Sequence, residues 1–107
     1  MRKIETQMNQ AIRSRKDWQS GNTRVEITED NQAFVYLHNN KIAVVDETNV
    51  QLFDGGWQSV TTKSRLNALL DEFDYGSFVF QKNWNWFFAR NFNPSHKVDF
   101  ISGMFVR

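Results

Sequence analysis

The chain has 107 residues, enough for one compact domain around a single core, and with 40% hydrophobic residues and one proline it is not expected to be disordered. The absence of cysteine excludes disulfides, thiolate metal ligands and cysteine nucleophiles. The net charge of +1 argues against a surface that binds polyanions all over, and no apolar run predicts a membrane span or a secretory signal, so a soluble intracellular protein is expected.

The N-terminal half predicts one helix followed by short strands. Ile4, Met8, Ala11 and Ile12 share one face of an amphipathic helix over residues 2–16, and Gly21 lies in the segment that ends it. Alternating or β-prone stretches between turn residues then predict strands over 23–28, 33–38, 41–46 and 49–53. Asn39-Asn40 predicts a two-residue hairpin turn between the second and third of these strands.

The C-terminal half predicts a second helix and further strands. Leu66, Leu69, Leu70 and Phe73 follow helical spacing, and Gly76 is placed to end the helix. Either Thr61 or Thr62 is the predicted N-cap. Strands are predicted over 78–81 and 84–90, as a hairpin around Lys82-Asn83, and over 98–101 and 104–106.

These elements predict the fold class. Connections between the strands are too short for parallel crossovers, so the sheet is expected to be antiparallel. The prediction is a single α+β domain over residues 1–107, with about five to seven short strands and both helices packed on the sheet.

Charge is unevenly distributed along the chain. Residues 1–25 carry six basic and two acidic side chains, residues 26–75 carry three and nine, and residues 76–107 carry four and one. Such asymmetry can mark a surface that faces a partner. The other interpretation is that the three segments fold together and their charges interleave.

Aromatic residues are concentrated in the C-terminal third, where eleven of the sixteen lie between Phe73 and Phe105. If 84–90 is a strand, Trp84, Trp86 and Phe88 point to one face and Phe87 to the other. A sheet packed by helices on one side buries only one of these sets. Three interpretations remain: large rings that build the core, a protein-binding patch, or a platform on which single-stranded nucleic acid stacks.

Catalytic and metal-binding patterns are weak, so we predict no catalytic residues, no metal site and no cofactor. His38 and His96 are 58 positions apart, and no ligand spacing joins them. No nucleophile elbow or phosphate-binding loop is present. His96 with Asp99, as a general base and its orienting group, is the one arrangement left open.

The segment from Trp57 to Leu70, with Thr61-Thr62-Lys63-Ser64-Arg65-Leu66 at its centre, resembles a segment shared by small proteins of tailed-phage genomes. Three other stretches agree with that group: Ile4-Glu5-x-Gln7-Met8, Tyr36-Leu37-His38-Asn39-Asn40-Lys41-Ile42-Ala43, and an aromatic strand leading to Gly103-Met104. The resemblance implies a phage-encoded protein made in the cytoplasm of an infected bacterium. It carries over no catalytic or binding residues.

Two binding hypotheses follow. The preferred one is a phage accessory protein, not an enzyme, that binds a host protein of metabolism, transcription or defence through Trp84, Trp86, Phe88 and Arg90. The alternative is nucleic-acid binding through Lys63, Arg65 and the basic terminal segments. Lys63 and Arg65 lie near a helix N-terminus, where cations oppose the helix dipole unless an anion shares the site. Unpaired sheet edges also leave a homodimer open.

Overall fold

The computed structural model describes residues 1–107 and contains two α-helices and nine strands, which confirms the predicted α+β class. The helices are α1 (Lys3–Ser14) and α2 (Val60–Phe73), and a short 3-10 helix spans Pro94–His96. The strands are β1 (Trp18–Ser20), β2 (Thr23–Ile27), β3 (Ala33–Leu37), β4 (Asn40–Val45), β5 (Val50–Leu52), β6 (Phe78–Lys82), β7 (Asn85–Ala89), β8 (Val98–Asp99) and β9 (Met104–Phe105).

The strands form two antiparallel sheets. The large sheet has the order β1-β2-β3-β4-β5-β9, so the C-terminal strand β9 extends the N-terminal meander. The small sheet has the order β6-β7-β8. Strand β3 alternates as the sequence predicts, with Ala33, Val35 and Leu37 buried and Phe34 and Tyr36 only half-buried.

One hydrophobic cluster connects the helices and both sheets. Its members include Met8 and Ile12 of α1, Leu66 and Leu69 of α2, and buried residues of both sheets, listed here in part: Val35, Val45, Leu52, Val79, Trp86 and Phe88. The apolar faces that the spacing predicts for both helices are therefore the faces that pack against the sheets.

Helix α2 also contacts strand β6 through a side-chain amide. Asn67 donates from Nδ2 to the carbonyl of Val79 at 2.9 Å and accepts from the amide of Val79 at 2.7 Å. The side chain of Asn67 thus satisfies both backbone groups of one residue on the outer edge of β6, an edge that no strand covers.

The structure differs from the sequence predictions at two hairpin turns and at the N-cap of α2. The β3–β4 turn is His38-Asn39 instead of Asn39-Asn40, and a register shift between Val35 and Tyr36 accompanies it. The N-cap of α2 is Ser59, whose hydroxyl accepts from the Thr62 amide at 3.0 Å, instead of either threonine. The β6–β7 turn is Asn83-Trp84 instead of Lys82-Asn83. Strand β1 was not predicted, because three residues are too few for a period of two to be recognised.

Candidate functional site

The β6–β7 hairpin closes with an unusual two-residue turn, Asn83-Trp84 instead of the predicted Lys82-Asn83. Lys82 and Asn85 form the last paired positions, and Asn83 and Trp84 between them have φ values of 52° and 69°. Hairpin turns with two positive φ values favour Asn-Gly sequences, because glycine adopts this conformation without steric cost. A residue with a Cβ atom in the left-handed region costs about 1–2 kcal/mol, so tryptophan at position 84 opposes the stability of the turn.

The side chain of Trp84 is also the most exposed large hydrophobic side chain of the chain, with 89% of its surface accessible. Its ring makes no aromatic or cation–π contact within the molecule. Burial therefore does not offset the backbone strain. Strained residues that the fold does not need are concentrated at functional sites.

Next to Trp84 lies an open cleft of about 450 Å³. Gln58, Asn85, Asp99 and the exposed Ile101 line it together with Trp84, and the buried rings of Trp86 and Phe100 complete it. We call Trp84, Asn85, Gln58, Asp99 and Ile101 the tip surface. It combines two exposed apolar side chains with polar neighbours, as protein-binding surfaces do.

The structure corrects the prediction that Trp84, Trp86, Phe88 and Arg90 form one exposed surface. Trp86 and Phe88 are 4% and 2% exposed and belong to the hydrophobic core. Trp86 packs edge-on against Phe100, with ring centroids 5.4 Å apart. The physical reason is that β7 begins at Asn85, so the alternation of the strand does not set the direction of Trp84.

Arg90 lies at the other end of β7 from the hairpin tip. Its guanidinium stacks 5.1 Å from the ring centroid of Phe88, pairs with Asp74 at 3.4 Å and donates to the carbonyl of Val106. Through these contacts Arg90 connects the end of β7 to the C-cap of α2 and to the C-terminal segment. Of the four predicted residues, only Trp84 lies at the tip surface.

Arg65 has a structural position that the sequence interpretation missed. It is 3% exposed and forms an ion pair with the equally buried Glu5 of α1, Nη1 to Oε2 at 2.9 Å. Its Nε donates to Thr23, the first residue of β2, and its Nη2 donates to Asn22, the residue before the strand. Arg65 thus joins α2 to α1 and to the large sheet, and an external anion has no access to its charge.

Lys63 lies in the first turn of α2, but its side chain points to strand β6. Its Nζ donates to Oε1 of Gln81 at 3.0 Å and lies 5.8 Å from the ring centroid of Trp86. It connects α2 to the hairpin. The two cations that the sequence suggested for anion binding therefore point in different directions, one into the core and one toward β6.

The carboxylate of Glu5 accepts hydrogen bonds from three residues in this network. Oε1 accepts from the amide of Arg2, and Oε2 accepts from the hydroxyl of Ser64 and from Arg65. Burial raises the pKa of the Glu5 carboxyl, but these hydrogen bonds and the charge of Arg65 outweigh burial and hold the pKa below its usual value. The pKa of Asp46 is also lowered, chiefly by the backbone amide of Thr48.

We expect the protein to lose stability as the pH falls below the ordinary glutamate pKa of about 4.3. A carboxyl whose pKa is lower in the folded chain binds protons more readily in the unfolded chain, so its stabilisation is complete above the unfolded pKa and disappears as the pH passes the folded pKa. Urea unfolding between about pH 7 and about pH 3 would measure this loss. The Glu5→Gln variant should show a shallower acid slope, and an unchanged slope would contradict the assignment.

A second cavity, of about 380 Å³, lies between the β3–β4 turn and the first turn of α2. His38, Asp54, Trp57 and Thr61 are among its lining residues, but no hydrogen bond joins His38 to Asp54. His96 lies elsewhere, in the 3-10 helix, and its ring is near Asn93 instead of Asp99.

No group of three or more histidine, aspartate or glutamate side chains is arranged to hold a metal ion. Neither helix is long and apolar enough to cross a membrane.

The fold and the site together define an α+β protein of two antiparallel sheets that displays a tryptophan at a strained hairpin tip. The model of the Kyanoviridae Gp96 protein family matches residues 1–107. The chain therefore belongs to this family of tailed-cyanophage proteins, which confirms that it is a phage protein. No curated protein and no solved structure matches it.

Proposed function

We propose that the protein is a phage accessory protein without catalytic activity, which binds a protein of the infected host through the tip surface. The observation that carries the proposal is Trp84, a large apolar side chain that is held in a strained conformation, 89% exposed, and unused by the fold. Tryptophan is enriched among residues that dominate binding energy at protein interfaces. A host protein of metabolism, transcription or defence is the class of partner that we propose.

The surroundings of Trp84 support a macromolecular partner. The adjoining cleft is open to solvent, and Ile101 adds a second apolar side chain with 66% exposure. Exposed apolar side chains that line one cleft, as Trp84 and Ile101 do, mark interaction sites more often than they mark ordinary surface.

The other functions considered from the sequence have less support. Nucleic-acid binding through Lys63 and Arg65 would require side chains that are engaged with Gln81 and Glu5. Catalysis would require a general base oriented by a second group, and His38 has no hydrogen-bonded carboxylate. We therefore propose binding without catalysis.

The variant Trp84→Gly should separate binding from stability. Because the substitution creates the favoured Asn-Gly turn sequence and the tryptophan ring contacts little, we expect the free energy of unfolding to rise by about 1 kcal/mol. Loss of a binding hot spot should weaken affinity for the partner by about 2 kcal/mol or more, roughly thirtyfold. Urea unfolding measures the first effect, and capture of host proteins on immobilised protein, followed by titration of the recovered partner, measures the second.

A matched control is available at the opposite end of the hairpin. Asn91-Phe92 is a second Asn-aromatic pair with positive φ values, both 55°, and Phe92 is 63% exposed. Its ring packs edge-on against Tyr75, at 5.1 Å between centroids. The Phe92→Gly variant should retain partner capture. If Trp84→Gly captured the same proteins with the same affinity as the parent, the proposal would be wrong.

A further inference from the structure

The outer face of the small sheet carries a row of phenylalanine rings that the core does not use. Phe80 lies directly opposite Phe87 in the β6–β7 pairing, and Phe78 precedes Phe80 by two residues on the same face. The ring centroids of Phe78 and Phe80 are 5.4 Å apart, and those of Phe80 and Phe87 are 5.7 Å apart. All three rings are half-buried and lie outside the hydrophobic core cluster.

The opposite face of the same strands is the buried one. Val79, Trp86 and Phe88 point toward the core from β6 and β7. Alternation in β6 and β7 therefore leaves the phenylalanine row on the side away from the core. No other segment covers this row completely, since each of its rings keeps some accessible surface.

Two lysines accompany the row. Lys97 places its Nζ 5.4 Å from the ring centroid of Phe87, and Lys82 follows Phe80 by two residues on the same face of β6. Both lysines are exposed, and neither side chain forms an ion pair or a hydrogen bond within the molecule. Asp99, opposite Phe87 in β8, is the acidic residue of this face. The charges of Lys82, Lys97 and Asp99 therefore leave an excess of one positive charge.

We infer that this face, formed by Phe78, Phe80, Phe87, Lys82 and Lys97, binds single-stranded nucleic acid. Sheet-borne aromatic rings stack on unpaired bases, at about 1–3 kcal/mol per base, while lysines contact the phosphates. A double strand hides its base faces and cannot stack in this way. The inference goes beyond the proposed function, because the three rings and two lysines of this face are not part of the tip surface, and Asp99 is the residue that borders both.

The test is a titration of the purified protein into fluorescently labelled oligonucleotides of about 15 nucleotides, a length that spans the site sizes of single-strand binding modules. DNA and RNA single strands and the matching duplexes serve as probes, and anisotropy is the readout. We expect the single strands to bind at least tenfold more tightly than the duplexes. Two phosphate contacts predict a loss of affinity of about sevenfold between about 50 and about 200 mM salt.

Three variants assign the binding to the face. The double variant Phe80→Leu/Phe87→Leu keeps apolar side chains but removes both rings, and it should weaken binding tenfold or more. Lys82→Gln/Lys97→Gln should flatten the dependence on salt. Trp84→Gly should change oligonucleotide affinity less than twofold even where it abolishes capture of the host protein, so the two proposals fail separately. Thermal unfolding establishes that each variant is folded.

Several results would overturn the inference. One is the absence of an anisotropy change at low salt with protein up to about 100 μM, the weak end of non-specific binding. Equal affinity for single strands and duplexes would indicate attraction by charge alone. Parental affinity in the folded double phenylalanine variant, or dependence on Trp84, would place the binding elsewhere on the molecule.

Discussion

The Arg65→Met variant is expected to lose about 3–5 kcal/mol of stability, a large share of the total for a chain of this size. The substitution leaves the buried carboxylate of Glu5 without its ion-pair partner and also removes the donors to Thr23 and Asn22. An uncompensated charge in the protein interior is the reason for the large effect. Urea unfolding with linear extrapolation measures it.

A double variant makes this prediction more specific. Glu5→Leu/Arg65→Met removes both charges, and it should recover much of the stability that Arg65→Met alone loses, because no buried charge then remains unpaired. A loss below about 1 kcal/mol in the single variant, the range of exposed ion pairs, would show that Arg65 is not the structural residue described here. It would also restore the hypothesis that Arg65 binds an external anion.

The second large effect is expected at Trp86. Trp86→Ala removes a ring that is 4% exposed and packed against Phe100, and such truncations in a core cost about 3–5 kcal/mol. Phe88→Ala should cost a similar amount, since Phe88 is 2% exposed. Trp84→Ala should stay within about 0.5 kcal/mol of the parent, as surface substitutions usually do.

Measured side by side, these three variants test how the aromatic hairpin is divided between core and surface. Chemical unfolding of each variant gives the free energies, and near-ultraviolet circular dichroism reports whether the remaining rings keep their packing. Equal destabilisation by Trp84→Ala and Trp86→Ala would contradict the division. A loss of partner capture in a Trp86 variant would be uninformative unless the variant were shown to be folded. The binding test therefore uses position 84.

The fold class could be predicted from the sequence because the spacing of apolar residues distinguishes helices from strands locally. The leucines of α2 and the alternating residues of β3 lie where a period of 3.6 or 2 places them, and the structure confirms both faces. Turn positions were less predictable, since several neighbouring residues are able to adopt positive φ values. Asn39, Asn40 and Asn83 are all competent for turns, and the pairing of the strands decides which are used.

The candidate site was only partly predictable for a related reason. Placing the turn one residue too early made Trp84 a strand residue and grouped it with Trp86 and Phe88, which the core absorbs. The role of Arg65 depends on Glu5, 60 residues away in the chain, and no local pattern connects the two. The sequence suggested an external anion for Arg65, whereas in the structure its guanidinium pairs with a carboxylate of the protein itself.

The amide of Asn67 has a consequence for how these molecules behave at high concentration. Its side chain forms hydrogen bonds with the N–H and the carbonyl of Val79, as a neighbouring strand would at this unpaired edge of β6. A second molecule that tried to add a strand there would have to displace α2 first. The border is thereby protected against sheet growth and aggregation, although the hairpin beside it is rich in aromatic residues.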